Sequence, residues 1–208
     1  MIVHQLSFLK VIGFLLTSIG VGVMIAWIGV GTGYALGSIG ALALIAWAFL
    51  TRRRWKALYE KDGSEPGAPE RVTWHRLAGY SAIFGHMGFS FMNPQYDLHV
   101  GAGNYLAIDN WTLVLGMTAS AALFRADSQE RDERDDRISA SATLWGFRSL
   151  IGLLVALGAC IGFLPPNLQS VFNHFVVGNL IVGTIVLSLI VRQAAHLFLY
   201  ARDSMEAL

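Results

Sequence analysis

The chain has 208 residues, of which 54% are hydrophobic and 14% are charged, and its mean hydropathy is +0.52. Soluble domains carry about 25% charged residues, so this composition excludes an ordinary water-soluble globule and indicates an integral membrane protein. The net charge of +1 does not favour a nucleic-acid partner, and the lipid bilayer is the expected environment.

Six segments are apolar enough to be interpreted as membrane-spanning helices. In chain order they cover about 11–30, 34–50, 77–92, 107–124, 149–164 and 171–191. The Gly-rich turn 29–33 between the first two predicts an antiparallel hairpin. Asn93-Pro94 ends the third segment and Pro165-Pro166 the fifth, because a residue before proline disfavours helix. The sequence therefore predicts an all-α, six-helix bundle in three hairpins, forming one domain.

The fifth and sixth helices are predicted to be longer than their spans. Helical pattern runs backward from Ser149 to about Ile138, and it continues after Val191 through RQAAHLFLYARDS without a breaker. We expect these two helices to project together into the cytosol by roughly two to three turns.

The positions of the basic residues predict the topology. All 15 Lys and Arg residues lie at Lys10, in segments 51–76 and 125–148, and in the C-terminal tail. Segments 29–33, 93–110 and 165–170 contain none. Because basic residues in short loops stay on the cytoplasmic side, both termini are predicted to be cytosolic. The expected location is the inner membrane of a bacterium.

An acidic run marks the predicted start of the fifth helix. It contains Asp132, Glu133, Asp135 and Asp136, and carboxylates at this position favour the positive end of the helix dipole. Docking of a cytosolic partner is an alternative role. Arg148 and Arg192, at the cytosolic ends of the fifth and sixth spans, either extend to the membrane interface or pair with acidic groups of that partner.

The segment D-E-R-D-D-R-I, which begins at Asp132 and precedes a long helical hairpin, resembles a known signature. The pattern D-E-R-[DE]-x-x-I occurs in a family of small uncharacterised bacterial and archaeal multi-pass membrane proteins. The resemblance implies a membrane hairpin and no known activity.

His86 is the histidine that lies well inside a predicted span. An ionisable residue there is a functional candidate, because burying it without a partner is costly. A structural hydrogen bond, a proton or ion path, and axial ligation of a haem or chlorin stay open, with His174 as the nearest second axial ligand. A polar route would combine His86 with Ser81, Ser90, Thr118, Asn179 and Thr184.

The segment from Asn93 to Trp111 is the longest connection on the side without basic residues. Its polar residues are Asp97, His99, Asn104, Asp109 and Asn110. Capping of helix ends at the interface and a ligand or metal site are the two interpretations. We expect no acidic pair inside a span.

No phosphate-binding loop, zinc-binding helix or nucleophile elbow occurs, and no enzyme, resident metal or cofactor is predicted. The leading hypothesis is a non-catalytic membrane subunit that acts through helix packing in a homo-oligomer or a larger membrane complex. The alternative is a small transporter or channel with a polar route around His86 and Asn179. A haem- or chlorin-binding protein is a minor alternative.

Overall fold

The computed structural model describes residues 2–62, 68–93, 104–124, 132–165, 172 and 174–206. These residues form helices and no strand, which confirms the all-α prediction. The six helices are α1 (Ile2–Thr32), α2 (Gly37–Asp62), α3 (Ala68–Met92), α4 (Tyr105–Leu123), α5 (Glu133–Gly162) and α6 (His174–Glu206).

Four of the helices, α1, α4, α5 and α6, are long and apolar enough to cross a membrane. The other two carry charged residues over much of their length. In α2 the apolar part ends at Leu50 and three arginines follow within the helix, and α3 contains Glu70, Arg71 and Arg76. The predicted count of six spans is thus supported by composition for four of them.

The helix ends explain where the predicted boundaries were accurate and where they were not. α3 stops at Met92 before Asn93-Pro94, as proline requires. The connection between α1 and α2 begins later than predicted. α1 continues to Thr32, and Gly33, which has a positive φ of 72°, ends this helix. The Gly33 N–H donates to the Gly29 carbonyl at 2.8 Å, which is a left-handed glycine cap.

Neighbours in space are often not neighbours in sequence. α1 packs mainly on α3 and α2 on α4, while α5 packs on α6; α3 also contacts α4 and α6 and so occupies the centre. Two contacts define the relative direction of α1 and α3. Phe14 contacts Trp74, and further along both helices Gly22 contacts Ala82, so the two helices are parallel. α1 and α2 are joined by a short connection, as predicted for a hairpin, but the two helices have few contacts with each other.

Glycines set the closest helix contacts. A Cβ on Gly22 would overlap the Ala82 carbonyl, and one on Gly85 would overlap the Ile19 carbonyl, so α1 and α3 meet backbone to backbone. Gly116 brings α4 against Ala41 of α2 in the same way. These three glycines therefore have a packing role at the contacts between helices.

The extensions of α5 and α6 are confirmed as helix and are longer than predicted. α5 begins at Glu133 and α6 continues to Glu206. The extension of α6 also packs against α1 and α3. Phe198 stacks on Phe8 of α1 at 5.1 Å, and His196 contacts Thr73 of α3 at 3.1 Å. This end of the bundle, where the basic residues lie, is called the basic end below.

A lateral groove separates α1 from α2. It has a volume of about 340 Å³, and residues of α3 and α4 form its floor. Its twelve lining residues are Phe14, Thr17, Ser18, Val21, Ile25, Gly40, Ala43, Leu44, Trp47, Ala78, Ala82 and Leu113. The groove exists because α1 packs on α3 and α2 packs on α4, which leaves the seam between the two pairs open.

Candidate functional site

His86 lies on α3 and is fully buried, with 0% of its surface exposed. Its Nδ1 is 2.7 Å from Oδ1 of Asn110 on α4, so the Nδ1–H donates to the amide oxygen. Its Nε2 has no hydrogen-bond partner in the described part of the chain and faces Asp109 Oδ2 at 3.9 Å. This tautomer leaves the nitrogen that faces the carboxylate available to bind a proton.

Asp109 lies one turn inside α4 and is 1% exposed. Its carboxylate fits between two glycines, since a Cβ on Gly37 would lie 2.6 Å from Oδ1 and one on Gly29 3.9 Å from Oδ2. The backbone N–H groups of Leu36 and Gly37 at the start of α2 face it, and the N-terminus of a helix stabilises negative charge. Neither oxygen has a hydrogen bond of regular geometry within the described residues.

The cost of burying a single charge makes this pair a candidate proton site. An ionised carboxylate buried without a cation costs several kcal/mol. The stable combinations are therefore a protonated Asp109 beside neutral His86, or an imidazolium beside a carboxylate. Both hold one proton between Nε2 and Oδ2, and the 3.9 Å separation is longer than a hydrogen bond.

The pair lies towards the end of the bundle opposite the basic end, called the uncharged end below. His86 is six residues before the end of α3, or about 9 Å along the helix. Below it towards the basic end come Ile83, Leu113 and Met117, each no more than 2% exposed. Ser81, two residues from Ile83 on α3, is also fully buried, and its hydroxyl has no hydrogen-bond partner among the described residues.

A second buried polar group lies beyond that layer. His75 shares the α4-facing side of α3 with His86, and its Nε2 is 2.8 Å from Ser120 Oγ. On the neighbouring α6, His196 contacts Thr73 and stacks on Tyr200 at 5.0 Å. The bundle thus has two polar layers, one near each end.

The predicted polar route is not assembled as one path. Ser90 lies one turn from His86 and donates to its carbonyl, and Ser81 is buried on the same helix. Thr118 faces outward, and its hydroxyl donates to Val114 of its own helix. Asn179 and Thr184 each donate to a carbonyl of α6. The structure brings Asp109 and Asn110 to His86 in place of these three residues.

The acidic run forms the helix start that its position predicts. Asp132 is the N-cap of α5, and its carboxylate accepts a hydrogen bond from the Asp135 N–H at 2.7 Å. In return, the Asp132 N–H donates to the Asp135 carboxylate at 3.3 Å. Tyr200 of α6 donates to Asp135 at 2.6 Å. Glu133 and Asp136 are exposed. Docking by this run stays a prediction.

The two predicted arginines differ in their surroundings. Arg148 is exposed on α5. Arg192 is half-buried, because its stem lies over Gly146, where a Cβ would be 2.8 Å from Arg192 Cβ. Arg192 therefore packs between α5 and α6, in addition to any role at the membrane interface.

The residues around His86 do not fit a haem or chlorin. One ring nitrogen is hydrogen-bonded, the other faces a carboxylate, and the ring is fully buried, so no face is open to a macrocycle. His174, the predicted second ligand, is exposed, and its ring contacts that of Phe175 in a tilted arrangement with centroids 3.9 Å apart. No group of three His, Cys, Asp or Glu residues in the described ranges is placed to hold a metal ion.

Asp109 and Asn110 were counted among the polar residues of the connection from Asn93 to Trp111, although the predicted fourth span of about 107–124 already contains them. In the structure both belong to α4, which begins at Tyr105 with Asn104 as its cap, and Asp109 faces a histidine, so the expectation of no acidic pair inside a span is not contradicted. A signal was present, since Leu106, Asn110, Leu113 and Met117 recur at helical spacing and form one buried face. Asp97 and His99 lie outside the described residues.

No family model, curated protein or solved structure matches this chain. The resemblance of the segment that begins at Asp132 therefore stays a prediction.

Proposed function

We propose that this protein is a small membrane transporter that carries protons, with the His86–Asp109 pair as its proton-binding site and Asn110 as the group that fixes the histidine tautomer. The observation that carries the proposal is the buried pair, 3.9 Å apart, in which Nε2 of His86 has no hydrogen-bond partner among the described residues and the Asp109 carboxylate faces only the backbone N–H groups of Leu36 and Gly37, without a bond of regular geometry. Ionisable residues inside a membrane protein are costly and mark proton or substrate pathways.

The position of the pair favours a carrier over an open channel. The apolar layer formed by Ile83, Leu113 and Met117 separates it from the basic end. A proton bound near one end must therefore wait for a rearrangement of the helices before it leaves at the other end. α1 and α2 have few contacts with each other, so movement at their seam would break few of them.

Proton flux separates this proposal from a purely structural role. Purified protein reconstituted into liposomes that contain a pH-sensitive dye should dissipate an imposed pH gradient faster than protein-free liposomes, with potassium and valinomycin present to balance charge. A flux equal to that of protein-free liposomes would contradict the proposal.

The proposed orientation places both termini and the basic end in the cytosol of a bacterial inner membrane, with six crossings. What supports it is the location of all 15 Lys and Arg residues on one side of the predicted spans. Helices alternate in direction where contacts define it, since α3 pairs His75 with Ser120 and His86 with Asn110 of α4, which makes these two antiparallel.

Reporter fusions test the orientation. A reporter that is active only in the cytosol should give signal when fused after Leu208 and none when fused after Gly103. Equal signal at both positions would overturn the six-span topology, and exchange of the two signals would invert it.

A second candidate function, a structural subunit of a homo-oligomer or a larger membrane complex, is favoured by the surface of α5. This helix packs mainly on α6, and its other sides expose large apolar residues, among them Trp145, Phe147 and Val155. Gly152 and Gly158 have open space around them, which permits close approach of another helix. Lipid chains can also cover this apolar surface, so it does not require a protein partner. We therefore place proton transport before the subunit function.

A further inference from the structure

We infer that α2, where it reaches the basic end of the bundle, binds an anionic phospholipid. Arg53 and Arg54 hold the phosphate of this lipid, and its chains lie along the exposed apolar face of the same helix. Arg52 and Lys56 extend the cationic surface around the helix. The inference goes beyond proton transport and does not depend on it. It shares with the proposed orientation the placement of the basic end at a membrane surface.

Four cations lie close together on α2. Each is exposed, and they fall within five consecutive residues, as Arg52, Arg53, Arg54 and Lys56. The first acidic residue of α2 is Glu60, which is more than one helical turn beyond the last of the three arginines. Because helix residues pair when they are three or four positions apart, α2 itself supplies no carboxylate to these arginines.

Other described segments do not supply one to Arg53 or Arg54 either. These two side chains make no ion pair or hydrogen bond with another residue in the part of the chain that the structure describes. By contrast, Arg134 of α5 pairs with Asp203 of α6 at the same end of the bundle. The two arginines of α2 are therefore available to an anion that reaches them from the membrane surface.

The cations continue a face of α2 that belongs in lipid. Large apolar side chains on this face are exposed, namely Ile39, Leu42, Phe49 and Leu50. Arg53 lies three residues after Leu50 and four after Phe49, so it occupies the same face one turn further on. α2 packs on α4, which is apolar enough to cross a membrane, so this face lies within the depth of the bilayer.

The apolar part of α2 is short for a membrane. From Gly37 to Leu50 it rises about 20 Å, at ~1.5 Å per residue. The hydrocarbon core of a bilayer is about 30 Å thick. The arginines that follow Leu50 are therefore held near the level where lipid chains meet phosphates, and their long side chains extend outward to the headgroups.

The chemistry of these side chains selects the headgroup. A guanidinium group binds phosphate through two parallel N–H···O bonds, which a lysine ammonium does not provide. Basic clusters immediately beyond the apolar part of a membrane helix attract anionic lipids. A zwitterionic lipid offers the same phosphate but carries its own cation beside it. A phospholipid with a net negative charge is therefore the favoured occupant.

Lipid retention tests the site in the full-length protein. Purified protein in mild detergent is mixed with equal amounts of phosphatidylglycerol, which is anionic, and phosphatidylcholine, which is zwitterionic, and native mass spectrometry counts the lipids that stay bound. We expect wild-type protein to prefer phosphatidylglycerol at least about threefold, and Arg53→Gln combined with Arg54→Gln to remove most of this preference. Equal retention of the two lipids by wild-type protein would overturn the inference.

Arg137→Gln combined with Arg202→Gln is the matched control. It removes the same charge from two exposed arginines at the basic end, each of which follows or precedes an aspartate in sequence. The preference for phosphatidylglycerol should be unchanged, and both double variants should keep the melting temperature of wild-type protein. A preference lost equally in both variants would show attraction by net charge alone and would contradict a site on α2.

Soluble glycerophosphoglycerol separates a lipid site from a site for free phosphate esters. It has the phosphodiester of phosphatidylglycerol without the chains, so an excess should not displace the bound lipid. Displacement would show that the headgroup alone is recognised and would overturn the assignment to a lipid. Retention is measured without a pH gradient, so its result is independent of proton flux.

Discussion

Replacing His86 by Gln is expected to abolish proton flux and to leave the protein folded. Gln keeps an amide that can hydrogen-bond to Asn110, so the cost in stability should be near the ~0.6 kcal/mol average for hydrogen bonds between membrane helices. It cannot bind a proton at neutral pH, which removes the shared proton between α3 and α4. Flux into proteoliposomes should fall at least tenfold, while the size of the protein in detergent stays the same.

Asp109→Asn should give the same loss of flux for the complementary reason. The amide fills the same space between Gly29 and Gly37 but takes up no proton. Its effect on stability should be small or favourable, since a buried carboxylate without a full set of hydrogen bonds is replaced by a neutral group.

Asp136→Asn is the matched control for these two substitutions. Asp136 is an exposed carboxylate at the start of α5, far in sequence from the pair, and its loss should leave flux unchanged. Flux that survives in both His86→Gln and Asp109→Asn would show that the pair is structural and would favour the subunit hypothesis. Flux lost in the control as well would point to a general defect.

The second large effect is expected from Gly85→Ala. The added Cβ would overlap the backbone carbonyl of Ile19, which is part of a helix and cannot move aside as a side chain can. α1 must then shift away from α3, and overpacking of this kind costs about 1–3 kcal/mol. Because Gly22 of α1 lies against the backbone of His86, the shift should also reduce proton flux.

Gly88→Ala controls for the loss of a glycine from the same helix. No atom of another segment lies within 4 Å of a Cβ built at Gly88, so the substitution should be neutral or stabilise α3 by up to about 1 kcal/mol through helix propensity. Unfolding in a titration with sodium dodecyl sulphate, followed by circular dichroism, should separate the two variants. Equal stability of Gly85→Ala and Gly88→Ala would contradict the packing of α1 on α3.

Hydrophobic runs and helix-breaking residues were enough to predict most of the elements. Asn93-Pro94 and Pro165-Pro166 mark the ends of α3 and α5, and the acidic residues from Asp132 mark the start of α5. These signals act within one helix, so they are visible in the chain itself. The number of membrane crossings and the orientation remain predictions, since α2 and α3 carry charges that composition alone does not place.

The pairing of helices was not predictable in the same way. A short connection sets α1 and α2 antiparallel, but the glycines that decide contact, Gly22 and Gly85, lie on α1 and α3. A glycine shows that a close approach is permitted and does not show which helix approaches. The groove between α1 and α2 follows from that choice of partners and has no signature of its own.

The candidate site was half predicted. His86 was recognised because it interrupts an apolar segment, whereas Asp109 and Asn110 were interpreted with the polar residues of the preceding connection, although the predicted span 107–124 contains them. Their spacing from Leu106 and Leu113 places them on the buried face of α4, and this periodicity was the better guide. Thr118, Asn179 and Thr184 were chosen as polar residues inside predicted spans, and each donates a hydrogen bond to a carbonyl of its own helix.

Infrared difference spectroscopy of the reconstituted protein tests the proton site most directly. Spectra taken at acidic and alkaline pH should differ in the carbonyl region of protonated carboxylic acids, to which the exposed carboxylates also contribute. One component of this difference should belong to Asp109: it should be missing in Asp109→Asn and shifted in His86→Gln. A pH difference spectrum that is identical in wild-type protein and Asp109→Asn would contradict the central claim that the pair binds and releases a proton.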